Sequence, residues 1–479
     1  MTSLSFDVKP ASALLAAARP SWLDRWGTFA AGLTFADLPA PVVERAKLVL
    51  LDCVGVIVAG MQEPECRALA ARLAETGGPG GPGADCPAIG AGRGFAAGSA
   101  AFLNGVAGTM LELDEGNQYA RGHPAIHVVP ALLAAGPRRK ATGADLLTAL
   151  ALGYEIGSRI GIAAKLLVTT HPHGTWGTAG AALAVAHLNR ADAAMMIETL
   201  NIASTLGLAT SRRTMLEGGT VRNAYAGLSN QLGLTAWDLA ASGFVGETDG
   251  VGSVFGGVIA TDFRPELMVE ELGTRWEIAR NYFKRHAACR YTHGALDALG
   301  DIVARAGGRI DPAEVAAIEV DTYVWAAQLD GPEPKNMLAA KFSLPFALAT
   351  FLANGAATPD AFRDGARQDA ATRELARRVT VREDRGLTAR LPGLRPARVR
   401  LTLADGRRFE AEALTNKGDT EDPYSPDEVR AKFADLAGPV WGASHAAAIA
   451  DCVASIDRAA DLSTLTRLLS APAAAGGSV

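Results

Sequence analysis

The densest group of chemically capable side chains lies in an otherwise apolar stretch. Glu112, Asp114 and Glu115 are followed by His123 and His127, three carboxylates and two imidazoles within 16 positions. Carboxylates beside imidazoles suit general acid/base chemistry, because neighbouring groups readily move their pKa values toward neutral pH. Pro124 directly follows His123, which predicts this histidine at a helix N-cap, where the helix dipole favours a bound anion. A solvated turn with a capping histidine fits the same residues. A second His-Pro step, His171-Pro172-His173, leads into the small-residue segment GTWGTAGAALAVA and by itself reads as a turn.

Cations form two further groups. Arg212, Arg213 and Arg222 surround Gly218 and Gly219, and Arg222 falls in the first turn of an expected helix. Guanidinium groups there suit bidentate pairing with a ligand carboxylate. The competing reading pairs Arg222 with Glu217 at the surface. The basic run NYFKRHAACRYTH, residues 281–293, sits where the residue pattern changes. Lys284 is its best functional candidate, with Arg285 beside it, because domain junctions form clefts. His187, His286 and His445 have no comparable context and read as structural.

Neither a metal nor a cofactor is expected. His123 and His127 are four apart but lack the Glu of the H-E-x-x-H motif, and the five cysteines never form a CxxC pair. The glycine-rich stretch PAIGAGRGFAAGSAAFLNG lacks the buried strand before it and the acid after it that a dinucleotide site requires.

The elements that must position these groups are mostly helices. The 479 residues are 49% hydrophobic, 20% charged and only 6% aromatic, with 52 glycines, a composition for helices in close contact through small residues. Helical periodicity runs through 22–60 and, in segments broken by glycine, through 143–245. Strand alternation enters only after about Phe283, in AEVAAIEVDTYV and in ARVRLTLADGRRFEAEAL with its Asp405-Gly406 turn. The tail from SPDEVRAKF is helical again. The expected fold is therefore mainly α, a large all-helical domain (1–279 and 416–479) interrupted by a smaller α+β piece, 280–415. GGPGGPGADC, residues 77–86, reads as a surface loop.

A net charge of −5 gives no general attraction to nucleic acid. The N-terminal residues lack the pattern of a signal peptide, no apolar run is long enough for a membrane span, and unpaired cysteines fit a reducing cytoplasm.

Several motifs in fixed order, AAFLNGVAGTMLELDE, HPHGTWGTAGAA, RNAYAGL, YFKRHAACRYTH, AAKFSLPFALA and NKGDTEDPYSPDEVRAKF, resemble the MmgE/PrpD family over nearly the whole chain. The resemblance implies a helical domain with an inserted α+β lid, a homodimer, and metal-independent proton transfer beside a carboxylate. It carries the family's acidic segment onto Glu112, Asp114 and Glu115, its active-site histidines onto His123 and His171, and its junction lysine onto Lys284. His123 and His171 are then acid and base, while Lys284, Arg222 and Arg213 hold the carboxylates of a small di- or tricarboxylate. Two departures stand out: Glu112 is one methylene longer than the family's aspartate, and Glu217 stands where the family has a lysine. They imply a changed substrate. The expected activity is a hydro-lyase of the 2-methylcitrate dehydratase type, with epimerase, decarboxylase and silent carboxylate binder as alternatives.

Overall fold

Helix dominates because small residues let neighbouring helices approach closely. The computed structural model describes residues 18–77 and 85–474; most of the loop expected at 77–86 lies outside them. The body is built from α1 (Ser21–Gly32), α2 (Ala40–Gly60), α3 (Ala97–Met110), α4 (Gly143–Ala163), α5 (Gly177–Leu188), α6 (Ala193–Thr205) and α7 (Ala224–Ala241). At the start of α4, Thr142 Oγ1 accepts from the Asp145 amide and Asp145 accepts from the Thr142 amide, a capping box that satisfies two end groups at once. α7 packs on α3 and α5, and α4 packs on α5. These crossings depend on glycine: a Cβ on Gly105 of α3 would lie 2.6 Å from Gly227 Cα of α7, and one on Gly153 of α4 would lie 2.7 Å from the Gly180 carbonyl of α5. Among the described residues α4 alone is long and apolar enough to cross a membrane, but 94% of its most apolar window is buried inside the protein.

The regular sheet has four strands, β1 (Val315–Thr322), β2 (Val379–Glu383), β3 (Ala397–Leu403) and β4 (Arg408–Ala413), in the order β4-β3-β1-β2. β1 is antiparallel to β3 and parallel to β2. Alternate residues of β3 are buried, and helix α8 (His293–Arg305) packs against β3 and β4. The β3–β4 hairpin turns at Asp405-Gly406, where Gly406 has φ 88°, a left-handed value that favours glycine. After the sheet, α9 (Pro426–Trp441) returns to pack on α2. Strand pairing is not confined to the expected segment. Short antiparallel pairs join 86–88 to 93–95, 164–166 to 260–263, and 116–117 to 281–282, each too brief to leave a period in the sequence. The last pair matters most, because it ties the acidic segment to the basic run.

Candidate active site

The acidic segment begins where α3 ends, and its first acid is in an unusual backbone state. Glu112 has φ 54°, the left-handed region that a non-glycine residue enters only when its surroundings hold it there. What holds it is charge. Its carboxylate pairs with Arg222 and, at 3.4 Å, with Lys284, whose ammonium also donates to the Glu112 carbonyl at 3.0 Å. Lys284 lies 3.6 Å from Asp114, and Asp114 lies 3.1 Å from Nδ1 of His123. All of these groups are buried. The segment is braced from below as well: Asp52 accepts from the Glu115 amide, and Lys432 of α9 pairs with Asp52 at 2.6 Å and donates to the Leu113 carbonyl.

The two histidines of the resemblance differ in tautomer. Nδ1 of His123 lies 2.6 Å from the Glu115 carbonyl oxygen, an atom that can only accept, so this nitrogen carries the proton and Nε2 keeps a lone pair. Nδ1 of His171 accepts from the His173 amide at 3.1 Å, so in the neutral ring the proton is on Nε2. His123 is thus set up as a base and His171 as a donor. Burial, before any other cause, pushes His123, His171 and His173 well below the ordinary imidazole pKa; Lys284 adds to this at His123, and Arg222 at His171 and His173.

These rings line one cavity. The helical body contributes Glu112, Arg121, His123, His171, His173, Arg212 and Arg222; the later segment contributes Tyr282, Cys289, Arg290, Tyr291, Phe342 and Arg395. Five arginines face it, but their commitments differ. Arg222 is paired with Glu112 and Arg290 with Asp419. Among the described residues Arg121, Arg212 and Arg395 have no carboxylate within 4 Å. Arg121 donates to the Gly161 and Ala164 carbonyls and Arg395 to that of Gln118, while Nε and Nη2 of Arg212 are buried without a partner.

Of the residues expected from sequence, Glu112, His123, His171 and Arg222 line the cavity, Asp114 and Lys284 contact these residues without lining it, and Lys284 borders a separate cleft. The others go elsewhere. Glu115 does not face the cavity: its Oε1 accepts from the Ala125 amide and its Oε2 from the Tyr154 hydroxyl, so it caps the short helical turn 125–127 itself. The anion expected at that turn is therefore the protein's own, and burial pushes Glu115 up to about 8. Arg213 is exposed and pairs with Glu217, one turn along a short surface helix. The expected alternative of Arg222 with Glu217 does not occur, because Arg222 is buried against Glu112. Arg285 lines a separate cleft with Asp297, Lys417 and Tyr424. His187, His286 and His445 hold local partners, the Ala30 carbonyl, Asp297 and the Leu468 carbonyl. The residues not singled out from sequence are His173, Arg121, Arg290 and Arg395, together with Arg212, which was noticed only as part of a run.

Asp114, His123 and His173 each bring one donor atom within 4.8 Å of the others. By donor type the set could accept a divalent ion. Lys284 at 3.6 Å and the nearby arginines oppose a cation, and an oxygen carrying hydrogens suits the same three atoms better.

Guanidiniums without carboxylate partners, set around imidazoles that ionise only at high cost, leave this pocket with an excess of positive charge. Its class by fold is that of a mainly helical protein with small sheets. The sequence agrees at the level of family: the profile of the MmgE/PrpD N-terminal domain matches residues 24–263 and that of the MmgE/PrpD C-terminal domain residues 286–458. The chain belongs to the MmgE/PrpD family. It is similar to a cis-aconitate decarboxylase of Aspergillus terreus, 27% identical over 475 residues, with 93% of this chain and 95% of the relative covered. A cis-aconitate decarboxylase-like protein of Aspergillus oryzae is also 27% identical, covering 91% and 94%.

Proposed function

We propose that this protein is a lyase that acts on a small di- or tricarboxylate by proton transfer at a carbon next to a carboxylate, without a metal. The observation that carries the reading is the set of three guanidiniums, Arg121, Arg212 and Arg395, that face the histidine-lined cavity with no carboxylate of their own among the described residues. A carbon acid beside a carboxylate is weak, so its deprotonation needs a positioned base and cations that absorb the developing enolate charge. Nε2 of His123 supplies the lone pair, and the uncommitted guanidiniums supply the charge. The Glu115 carbonyl holds His123 through Nδ1–H and the Asp114 carboxylate, 3.1 Å away, stabilises the imidazolium that forms, while Nε2–H of His171 donates to an oxygen of the substrate. Lys284 and Arg222 act on Glu112 rather than on the ligand.

Loss of water is the first reading, because the cluster of Asp114, His123 and His173 suits an oxygen that carries hydrogens, such as a substrate hydroxyl. Loss of carbon dioxide is the second, favoured by the full-length similarity to proteins named cis-aconitate decarboxylase. In either case we assign the segment 280–415 the role of a lid, since it supplies one wall of the cavity, and a homodimer as the working unit, as the family implies. Proton NMR in deuterated water with citrate, isocitrate, malate and cis-aconitate tests the reading. New vinyl protons with all carboxylates retained mean a hydro-lyase, and loss of one carboxylate means a decarboxylase. Exchange without net change means an epimerase, and a silent panel overturns the lyase reading.

A further inference from the structure

His173 and His127 are buried imidazoles that the mechanism above does not use. His173 lines the cavity, and its ring centre lies 4.6 Å from that of His123 and 5.1 Å from that of His171. His127 lies behind it at 5.1 Å. Among the described residues neither nitrogen of either ring has a hydrogen-bond partner, although both side chains are buried. Leaving such groups unpaired is costly, and it is tolerated where they are used. The fold also makes room for the pair: a Cβ on Gly177 would lie 2.4 Å from Nδ1 of His127.

His123 and His171 are each fixed in one tautomer by a backbone partner, so neither can both accept and donate without losing a hydrogen bond. His173 is free at both nitrogens. We propose that His173 is a third proton-transfer residue of this site, passing the proton that His123 removes on to the departing oxygen, with His127 as the residue that positions its ring. The proposal rests on the reading of the protein as a hydro-lyase. The C–H bond breaks and its proton goes to Nε2 of His123, while its electron pair stays on carbon. That pair becomes the new C=C bond as the C–O bond breaks. The leaving hydroxide takes the N–H proton of His173 and departs as water. The other nitrogen of His173 accepts the proton from His123 through one bridging water, the two ring centres being 4.6 Å apart. Both rings end neutral and no outside proton is consumed.

The test uses His173→Gln and His127→Phe in the full-length protein, with whichever of citrate, isocitrate and malate the wild type dehydrates, followed by NMR in deuterated water. His173→Gln is expected to lower vinyl formation at least 100-fold while hydrogen–deuterium exchange at carbon stays within about threefold, because His123 is intact. His127→Phe is expected to lower kcat about tenfold with KM unchanged. Elimination within threefold of wild type in His173→Gln overturns the proposal, and so does a parallel loss of exchange and elimination, which marks a residue that only builds the site. Should His173→Gln fail to fold, kcat of the wild type against the deuterium fraction of the solvent decides: a curved plot, with more than one proton in flight, supports the relay and a straight one refutes it. A wild type that dehydrates none of the three substrates refutes the hydro-lyase reading and the relay with it, whereas a dehydrating wild type with an unaffected variant refutes the relay alone.

Discussion

The positive charges around the cavity fall into two groups that differ in what they are for: Lys284 and Arg222 are buried, while of Arg121, Arg212 and Arg395 only Arg395 is fully so. At one wall of the cavity, Arg222 and Lys284 close on Glu112, and Lys284 also approaches Asp114, so these cations are paired with the protein's own carboxylates. Elsewhere on its wall, Arg121, Arg212 and Arg395 touch carbonyls or aromatic rings and, among the described residues, no carboxylate. A buried ion pair is a poor source of net stability, but removing one partner leaves a buried charge uncompensated and costs far more than the pair is worth. A buried guanidinium with no anion is already in that costly state, and a ligand carboxylate relieves it. The same residue type therefore builds the site in one place and binds in the other.

That contrast can be broken experimentally. The largest expected effect is on folding: Arg222→Ala strips Glu112 of its strongest partner and should cost about 3–5 kcal/mol of stability, read by denaturant unfolding. A variant with wild-type stability and a purely kinetic defect would move Arg222 to the second group. Next comes Arg212→Ala, which should leave stability nearly unchanged yet lower kcat/KM by the equivalent of about 2–3 kcal/mol, the scale for removing one preorganised charged donor. Equal losses of stability and activity in both variants would erase the distinction.

Acid sharpens the comparison further, because the imidazoles share the site's positive surroundings. Burial pushes His127 down to about 3. With its folded value below the ordinary one near 6.5, the unfolded chain takes up the proton first. The stability His127 contributes is then present above 6.5 and is lost as pH falls from there toward 3. Between pH 7 and pH 5 this single group should cost the wild type about 2 kcal/mol, so melting temperature should fall less steeply with acid in His127→Phe. Parallel acid profiles would show that His127 is not held neutral. The smallest effect belongs to Arg213→Ala, which should change neither melting nor kinetics, since its partner Glu217 is a surface group. Dialysis against a chelator should be equally silent, and activity restored by a divalent ion would contradict the metal-independent reading.

The mainly helical fold was legible from composition and period, and the β3–β4 hairpin from Asp405-Gly406. His123, His171, Asp114, Glu112, Lys284 and Arg222 were legible as motifs, and they do converge. What was hidden follows from geometry that a linear pattern does not carry. Arg212 and Arg213 are neighbours on one short helix, so about 100° of rotation separates them, and nothing in the local sequence says which one faces inward. Arg121 and Arg395 belong to no motif. They arrive through the 116–117 to 281–282 strand pair and the Arg395 bond to the Gln118 carbonyl, contacts between segments far apart in the chain. Glu115 looked like its neighbours in sequence, and only the Ala125 amide and the Tyr154 hydroxyl reveal it as a cap. His173 did stand in a visible His-Pro-His step, whose reading as a turn was correct for its backbone and incomplete for its ring.

The central claim is that Arg121, Arg212 and Arg395 wait for ligand carboxylates, and a saturated tricarboxylate tests it without any turnover. Calorimetric titration of propane-1,2,3-tricarboxylate should show binding to the wild type and to Arg213→Ala with the same affinity. Arg212→Ala and Arg395→Ala should each bind at least 30-fold more weakly, a difference of about 2 kcal/mol. Equal affinity in all four proteins, or a wild type that binds no carboxylate, would contradict the account.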